Sequence, residues 1–463
     1  MITTRGIRTK SSAAIVGIGI VAASLTGCSV GTTASTGQTT SSVQTTGVVA
    51  AVWDSSVVHS IEVEIDPAEL QGLLDTYLSS GEKEWASATV TIDGETFTEV
   101  GFKLKGNSSL RVVTADSDPA TLPWVIRLDK FVDDQSLDGE TEFVVRGNST
   151  ETAINEALAL ELLSLAGLAS EEAVASRFTI NGGTTDLRLV IQNPNDGWDE
   201  QEFGETGLLY KAESGGDYSY RGDDPESYTD IFDQEAGDKN LVPLIDFLQF
   251  INESDDATFA AELDQHLDVD AFATYLAYQD LVGNADDIDG PGNNSYLHYD
   301  EATGIMTVVN WDLNLAFGTA NVGGGGGGAG AQDRPAGGQP GVQAGVQPGG
   351  EPGGEPGGQL GGRPGGPGDD AAGGAALGGP AGAGGEPSNG NVLSERFQQN
   401  DEFFALVTEA KASLIATFYT SGAADQVITD WVTVLTTQAD DLVSASTVNA
   451  EAEAVQESFA SFR

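Results

Sequence analysis

From Val57 onward the chain alternates apolar and polar positions, then changes period. Val57–Ile65 (VVHSIEVEI) repeats every second residue, the pattern of a strand buried on one face. Asp66-Pro67, with Glu69 three residues after the aspartate, predicts a helix start: an acceptor before the first turn, and proline where no N–H is required. Residues 85–92 and 96–105 predict two strands joined at Asp93-Gly94, a dipeptide suited to a tight hairpin. Further strands are expected over 123–131 and 141–146. Residues 148–168 carry long helical periodicity through Ala157, Leu158, Leu160, Leu162 and Leu163. A second hairpin runs from 177–180 through Asn181-Gly182-Gly183 to 187–191. Beyond Tyr210 the pattern is mostly helical, with helices over 241–251, 256–267 and 270–281 and a strand pair at 296–299 and 306–310. Helices over 402–417, 423–439 and 450–462 close the chain. Strands first and helices later predict an α+β fold with mixed N-terminal strands and a mostly helical C-terminal part.

Two stretches lack this patterning. At the start, Arg5, Arg8 and Lys10 precede an apolar run, Ala13–Leu25, too short to span a bilayer. It ends in Leu25-Thr26-Gly27-Cys28, which fits a bacterial lipobox, and Cys28 is the single cysteine of the chain. A lone thiol in an exported protein has no disulfide partner, so acylation accounts for it. Residues 1–27 are therefore expected to be a lipoprotein signal peptide and 28–49 a Ser/Thr/Gly tether. The folded part would then sit on the extracytoplasmic face of the cell membrane, held by lipid on Cys28 alone. The second stretch, 322–391, is dominated by Gly, Pro, Gln and Ala, with near-repeats such as GGEPGGEPGG, and is expected to be disordered. Because loop closure costs grow only with the logarithm of length, it reads as an insert within one domain. Residues 50–321 and the helices of 392–463 would then form that domain together.

Charge narrows the partners. The formal net charge is −51, and −54 once the three basic residues of the signal are removed. Such a field disfavours nucleic acid and anionic lipid, so the membrane is expected to be met through the anchor only. It favours cations and solubility in salt.

The chemistry-bearing residues are few. With three histidines, one cysteine, no G-x-S-x-G elbow and no G-x-x-x-x-G-K-[ST] loop, Ser/His hydrolysis, Cys/His metal sites and P-loop chemistry are disfavoured. Carboxylates, asparagines and lysines remain, and the oxygen ligands among them suit hard cations such as Mg²⁺, Mn²⁺ or Ca²⁺. They concentrate in 283–296, Gly-Asn-Ala-Asp-Asp-Ile-Asp-Gly-Pro-Gly-Asn-Asn-Ser-Tyr, and in Trp311-Asp312-Leu313-Asn314. A calcium loop with Gly290 at its sixth position fails, because Ala285 and Tyr296 fill the first and twelfth. What remains is an Asp, an Asn eight residues on, and another Asp beyond a hairpin. Protein kinases distribute an acceptor-facing Asp, a metal-binding Asn and a metal-binding Asp in that order. An acidic loop that is merely solvated is the competing reading.

Several motifs taken in order resemble the CotH (spore coat protein H) kinase family over roughly 58–318, and more loosely through the final helices. They are Lys103-Leu104-Lys105-Gly106-Asn107-Ser108-Ser109, Ile126-Arg127-Leu128-Asp129-Lys130-Phe131, an Asn-Ser helix start at Asn148, Gly207-Leu208-Leu209-Tyr210-Lys211, Asp286 to Asn294 with Tyr296, and Trp311-Asp312 with Phe317-Gly318. The resemblance implies an atypical protein-kinase-like fold, ATP as cosubstrate with a divalent metal, and phosphate transfer to Ser or Thr of an exported or surface protein. It implies Asp286 as the catalytic Asp, Asn294 and Asp312 as metal ligands, and Lys105, Lys211 and Asn107 as nucleotide contacts. Where the family has an acid, this chain has Gln192, so a lysine–glutamate pair at that position is not expected. The alternative is a non-catalytic member, a pseudokinase scaffold or a cation- or cell-wall-binding lipoprotein.

Overall fold

The computed structural model describes residues 51–106, 108–204, 207–213, 216–284, 286–288, 294–321 and 391–463. The lipobox with Cys28, the tether, Asn107 and residues 322–390 of the Gly/Pro-rich insert lie outside the described residues.

The chain opens with β1 (His59–Glu64) and α1 (Pro67–Ser80). Asp66 caps α1 by accepting from the Ala68 amide, with Pro67 in the first turn. β2 (Ala86–Ile92) and β3 (Glu95–Leu104) form the hairpin expected at Asp93-Gly94, and both turn residues have positive φ as such a turn requires. β4 (Trp124–Arg127), β5 (Glu142–Val145), α2 (Ile154–Leu165), β6 (Ala173–Ile180) and β7 (Thr185–Gln192) follow. These seven strands close into a barrel in the order β1-β2-β3-β4-β5-β7-β6. Closure comes from parallel pairing of β1 with β6, in register from His59↔Ser176 to Val63↔Ile180. Val90, Phe102, Trp124, Phe143 and Phe178 fill the interior, and Phe102 stacks on Trp124 at 4.2 Å.

α3 (Asp196–Phe203) leads to β8 (Leu208–Ala212) and β9 (Phe232–Ala236), then α4 (Val242–Glu253), α5 (Asp256–Glu262), α6 (Val269–Val282), β10 (Ser295–Asp300) and β11 (Ile305–Asn310). β8 to β11 make a second, antiparallel sheet in the order β11-β10-β8-β9. α7 (Val392–Gln399), α8 (Asp401–Ile415), α9 (Ala423–Gln438) and α10 (Ala445–Ser458) complete the described chain, and the architecture is α+β.

α2 differs from the expected helix over 148–168. It begins only at Ile154, after Ala153 at φ 52°. Asn148 instead extends the β7 ladder: its side chain donates to Leu187 O at 3.1 Å and accepts from Leu189 N at 3.2 Å. Side-chain amides that mimic backbone rungs compete with helix in this way. Along α2, Ile154–Leu160, Leu162 and Leu163 are all buried, apolar or not. A helix covered on all sides sits in the middle of a fold. One core joins α2 to Leu189 and Ile191 of β7, to Trp311, and to Trp431, Leu435, Val448 and Ala452 of α9 and α10.

Candidate functional site

The strands of both sheets end in charged residues that meet. Lys105 directly follows β3, Arg146 directly follows β5, and Glu156 lies in the first turn of α2. Lys211 is on β8 and Glu235 on β9, while Asp286 and Asn294 bracket the loop from α6 to β10. Asp312 lies two residues beyond β11.

Arg146 is the hinge of the cluster. Its guanidinium donates to the Asp312 carboxylate and, at 2.8 Å, to Glu156 Oε1. Burial opposes the charge on Arg146, but the Asp312 and Glu156 carboxylates outweigh it and push its pKa up. Glu156 is itself raised by burial and held back by Arg146. Removing either partner would therefore strand a buried charge. Asp312 adopts φ 62°, a left-handed conformation that Asp tolerates better than most residues. The segment beyond it is held from outside: Asn314 O accepts from Ser149 Oγ at 3.0 Å and from Asn155 Nδ2 at 2.8 Å.

Asp286 lies near Asp312 and is hydrogen-bonded to Asn294. Asp286 is raised by burial and by the nearby Asp312 charge, and a side-chain hydrogen bond from Asn294 works the other way. A buried amide chain fixes this approach. Asn284 Nδ2 donates to Gln279 Oε1 at 3.1 Å, and Gln279 Nε2 donates to Asn310 Oδ1. That chain ties the end of α6 to the end of β11, the two points from which Asp286 and Asp312 project.

The lysines converge as well. Lys105 Nζ donates to Asn193 Oδ1 at 2.8 Å and lies 5.1 Å from the centre of the Trp311 ring, beside Asp312. Burial and the neighbouring Lys211 charge lower its pKa to about 7, while Glu235 and Glu142 act the other way. Lys211 Nζ donates to Glu213 Oε1 at 2.6 Å. Gln192 stands where an acid would be expected and donates to Glu140 Oε1 at 2.8 Å. The acids near Lys105 come from elsewhere: Glu235 across the second sheet, and Glu142, which accepts from Asn193 Nδ2 at 2.6 Å. Trp311 is packed in the core, edge-on to Tyr296 at 5.4 Å.

Five of the six sequence-selected residues in the domain thus lie in one neighbourhood, and the sixth, Asn107, lies outside the described residues. Sequence reasoning missed Arg146, Glu156 and Glu235. Arg146 had a legible signal, since Arg146-Gly147-Asn148-Ser149 repeats the pattern of Lys105-Gly106-Asn107-Ser108, each at the end of a barrel strand. Glu156 and Glu235 had none beyond being acids in an acidic chain.

Asp286, Asp312 and the Asn294 amide are hard oxygen donors crowded enough that a cation would relieve their repulsion. Among the described residues no three His, Cys, Asp or Glu converge as a cage. That donor set fits Mg²⁺, which takes one or two carboxylates and completes its shell with water and phosphate.

A search of curated proteins found no match. The family model described as CotH kinase protein matches residues 102–457. The match begins within β3, ends within α10 and takes in Lys105, Arg146, Lys211, Asp286 and Asp312, so the chain belongs to the CotH kinase protein family.

Proposed function

We propose that this kinase-family protein transfers phosphate from ATP, with Mg²⁺ or Mn²⁺, to Ser or Thr of exported or surface proteins. The observation that carries the reading is the meeting of Asp286, Asn294 and Asp312 beside Lys105 and Lys211. Asp286 is the group to accept the acceptor hydroxyl's proton, and Asn294 orients it through their hydrogen bond. Lys105 and Lys211 neutralise phosphate oxygens. Arg146, itself locked by Glu156, fixes the carboxylate of Asp312. A divalent ion held by Asp312 and Asn294 would neutralise charge developing on the phosphates.

The lipobox supports anchoring through Cys28 after removal of residues 1–27, which places the domain outside the cytoplasm. Packing of α9 and α10 on α2 supports 392–463 as part of the same domain as 50–321.

Incubation of the purified full chain with γ-labelled ATP, divalent metal and candidate exported proteins tests the reading. Label on Ser or Thr, lost in Asp286→Ala and Asp312→Ala, is expected. Nucleotide binding with no transfer to any acceptor would instead identify a scaffold. The Arg146–Asp312 pair favours that second reading, because it already neutralises the carboxylate a metal would use.

A further inference from the structure

Trp85 stands just before β2, and the register pairing Ala86 with Phe102 places it opposite Lys103 on β3. Lys103 Nζ lies 4.4 Å from the centre of the Trp85 ring, and Lys130 Nζ lies 5.0 Å from it. The arrangement depends on Gly101. A Cβ there would stand 2.5 Å from Lys130 Cβ and 2.9 Å from Trp85 Cε3, so ring and lysine stem pack onto bare backbone. Trp85 is half-buried and Lys130 exposed.

Phe102 and Leu104 point into the barrel core, so Gly101, Lys103 and Lys105 share the opposite face of β3. Lys103 is within electrostatic reach of Lys130 and Lys211, and Lys83 within reach of Lys211 and Lys103. Glu142 and Glu235 are also within electrostatic reach of Lys103 and Lys105. Among the described residues neither Lys103 nor Lys130 forms an ion pair with a carboxylate. The chain has 20 basic residues against 71 acidic ones. Two lysines gathered on the Trp85 ring in that field offer a polyanion a place where it gains rather than loses.

We propose that Trp85, Lys103 and Lys130 form a docking surface for an acidic, extended segment of the protein acceptor. Same-side residues of an extended chain recur about every 6.6 Å, the spacing of alternate residues along β3 itself. Carboxylates at alternate acceptor positions therefore match the lysines of β3. Of these, Lys105 lies against Trp311 beside Asp312, so a docked segment leads toward the reacting groups. Trp85 and Gly101 precede the family-matched stretch, while Lys103 and Lys130 fall within it. The proposal rests on the kinase reading for its acceptor but is tested without transfer.

Fluorescence anisotropy of labelled Ser-centred peptides is measured against the full chain without ATP. One peptide carries Asp or Glu at alternate positions, and a second carries Asn or Gln there. Binding of the acidic peptide at least about tenfold tighter than the neutral one, and weakened by salt, is expected. Lys130→Gln should weaken it several-fold, and Lys103→Gln with Lys130→Gln about tenfold or more, with unchanged melting temperature. Equal binding of the two peptides, or unchanged affinity in the double variant, overturns the proposal. Displacement of the acidic peptide by ATP overturns it too, assigning the lysines to nucleotide. So does lysine-dependent binding to anionic vesicles in place of the peptide. Because nothing is transferred, a protein inactive toward ATP still gives a decisive answer.

Discussion

The guanidinium of Arg146 donates to the carboxylate of Asp312, joining the end of β5 to the turn after β11. The same group holds Glu156, only 3% exposed, so one cation spans barrel, helix and second sheet. Arg146→Met leaves Glu156 buried without its partner and should cost about 3–5 kcal/mol, read by urea denaturation. Adding Glu156→Gln removes the stranded charge and should recover most of that loss while leaving phosphate transfer impaired. A single variant as stable as the parent would show that the pair carries no structural weight.

If Lys105 contacts nucleotide as proposed, binding carries a proton signature. Its amine titrates near pH 7 because burial and Lys211 disfavour the charge. A bound polyphosphate would raise that value. At pH 8 the free amine is mostly neutral, so binding takes up as much as about one proton; at pH 6 it is already charged and uptake vanishes. Titration calorimetry in buffers of different ionisation enthalpy measures this. Uptake that is identical at pH 6 and 8, or unchanged in Lys105→Gln, would contradict it.

Much of this site was legible because local chemistry marked it. Asp93-Gly94 and Asn181-Gly182 announce hairpins through the backbone they require, and both formed. Asp286, Asn294 and Asp312 stood out by residue type and spacing, and the fold brings them together. What stayed hidden is non-local. Parallel closure of β1 on β6 has no signature in either strand, since alternation fixes which face is buried but not which neighbour pairs. The helix expected from residue 148 starts six residues later because Asn148 finds partners on β7, a strand nearly forty residues away. β9, in a region read as helical, alternates too weakly to be seen: Phe232 and Ala236 are buried at its ends, with polar residues between.

Glu171, just before β6, is 4% exposed, and its Oε2 has no hydrogen-bond partner among the described residues. Burial raises its pKa to about 8, against its own backbone amide and Arg146. Between pH 4.5 and 8 the folded chain holds a proton there that the unfolded chain has lost, so this residue makes stability fall as pH rises. Glu171→Gln removes the dependence. Its melting temperature should match the parent near pH 4.5 and exceed it increasingly up to about pH 8–9. A constant offset across that range would mean the carboxyl is ionised in the folded state.

Glu451, on α10, does for α2 what α2's own sequence does not. The residue before the helix, Ala153, offers no side-chain cap. Glu451 accepts instead from the amides of Glu151 at 2.9 Å and Thr152 at 3.0 Å, and from the Thr152 hydroxyl. Thr152 is only 3% exposed, so Glu451→Ala leaves buried donors unsatisfied and should cost about 1–3 kcal/mol. Glu451→Gln keeps one acceptor oxygen and should lose less. The effect should not stop at stability. α2 carries Glu156, which locks Arg146 on Asp312, and Asn155, which holds the segment after Asp312. A loosened start of α2 should therefore weaken metal-dependent nucleotide binding in Glu451→Ala, read by calorimetry, more than in a surface control on α10 such as Glu453→Ala. Equal nucleotide affinity in both variants, despite the stability loss, would mean that α10 supports the fold without reaching the site.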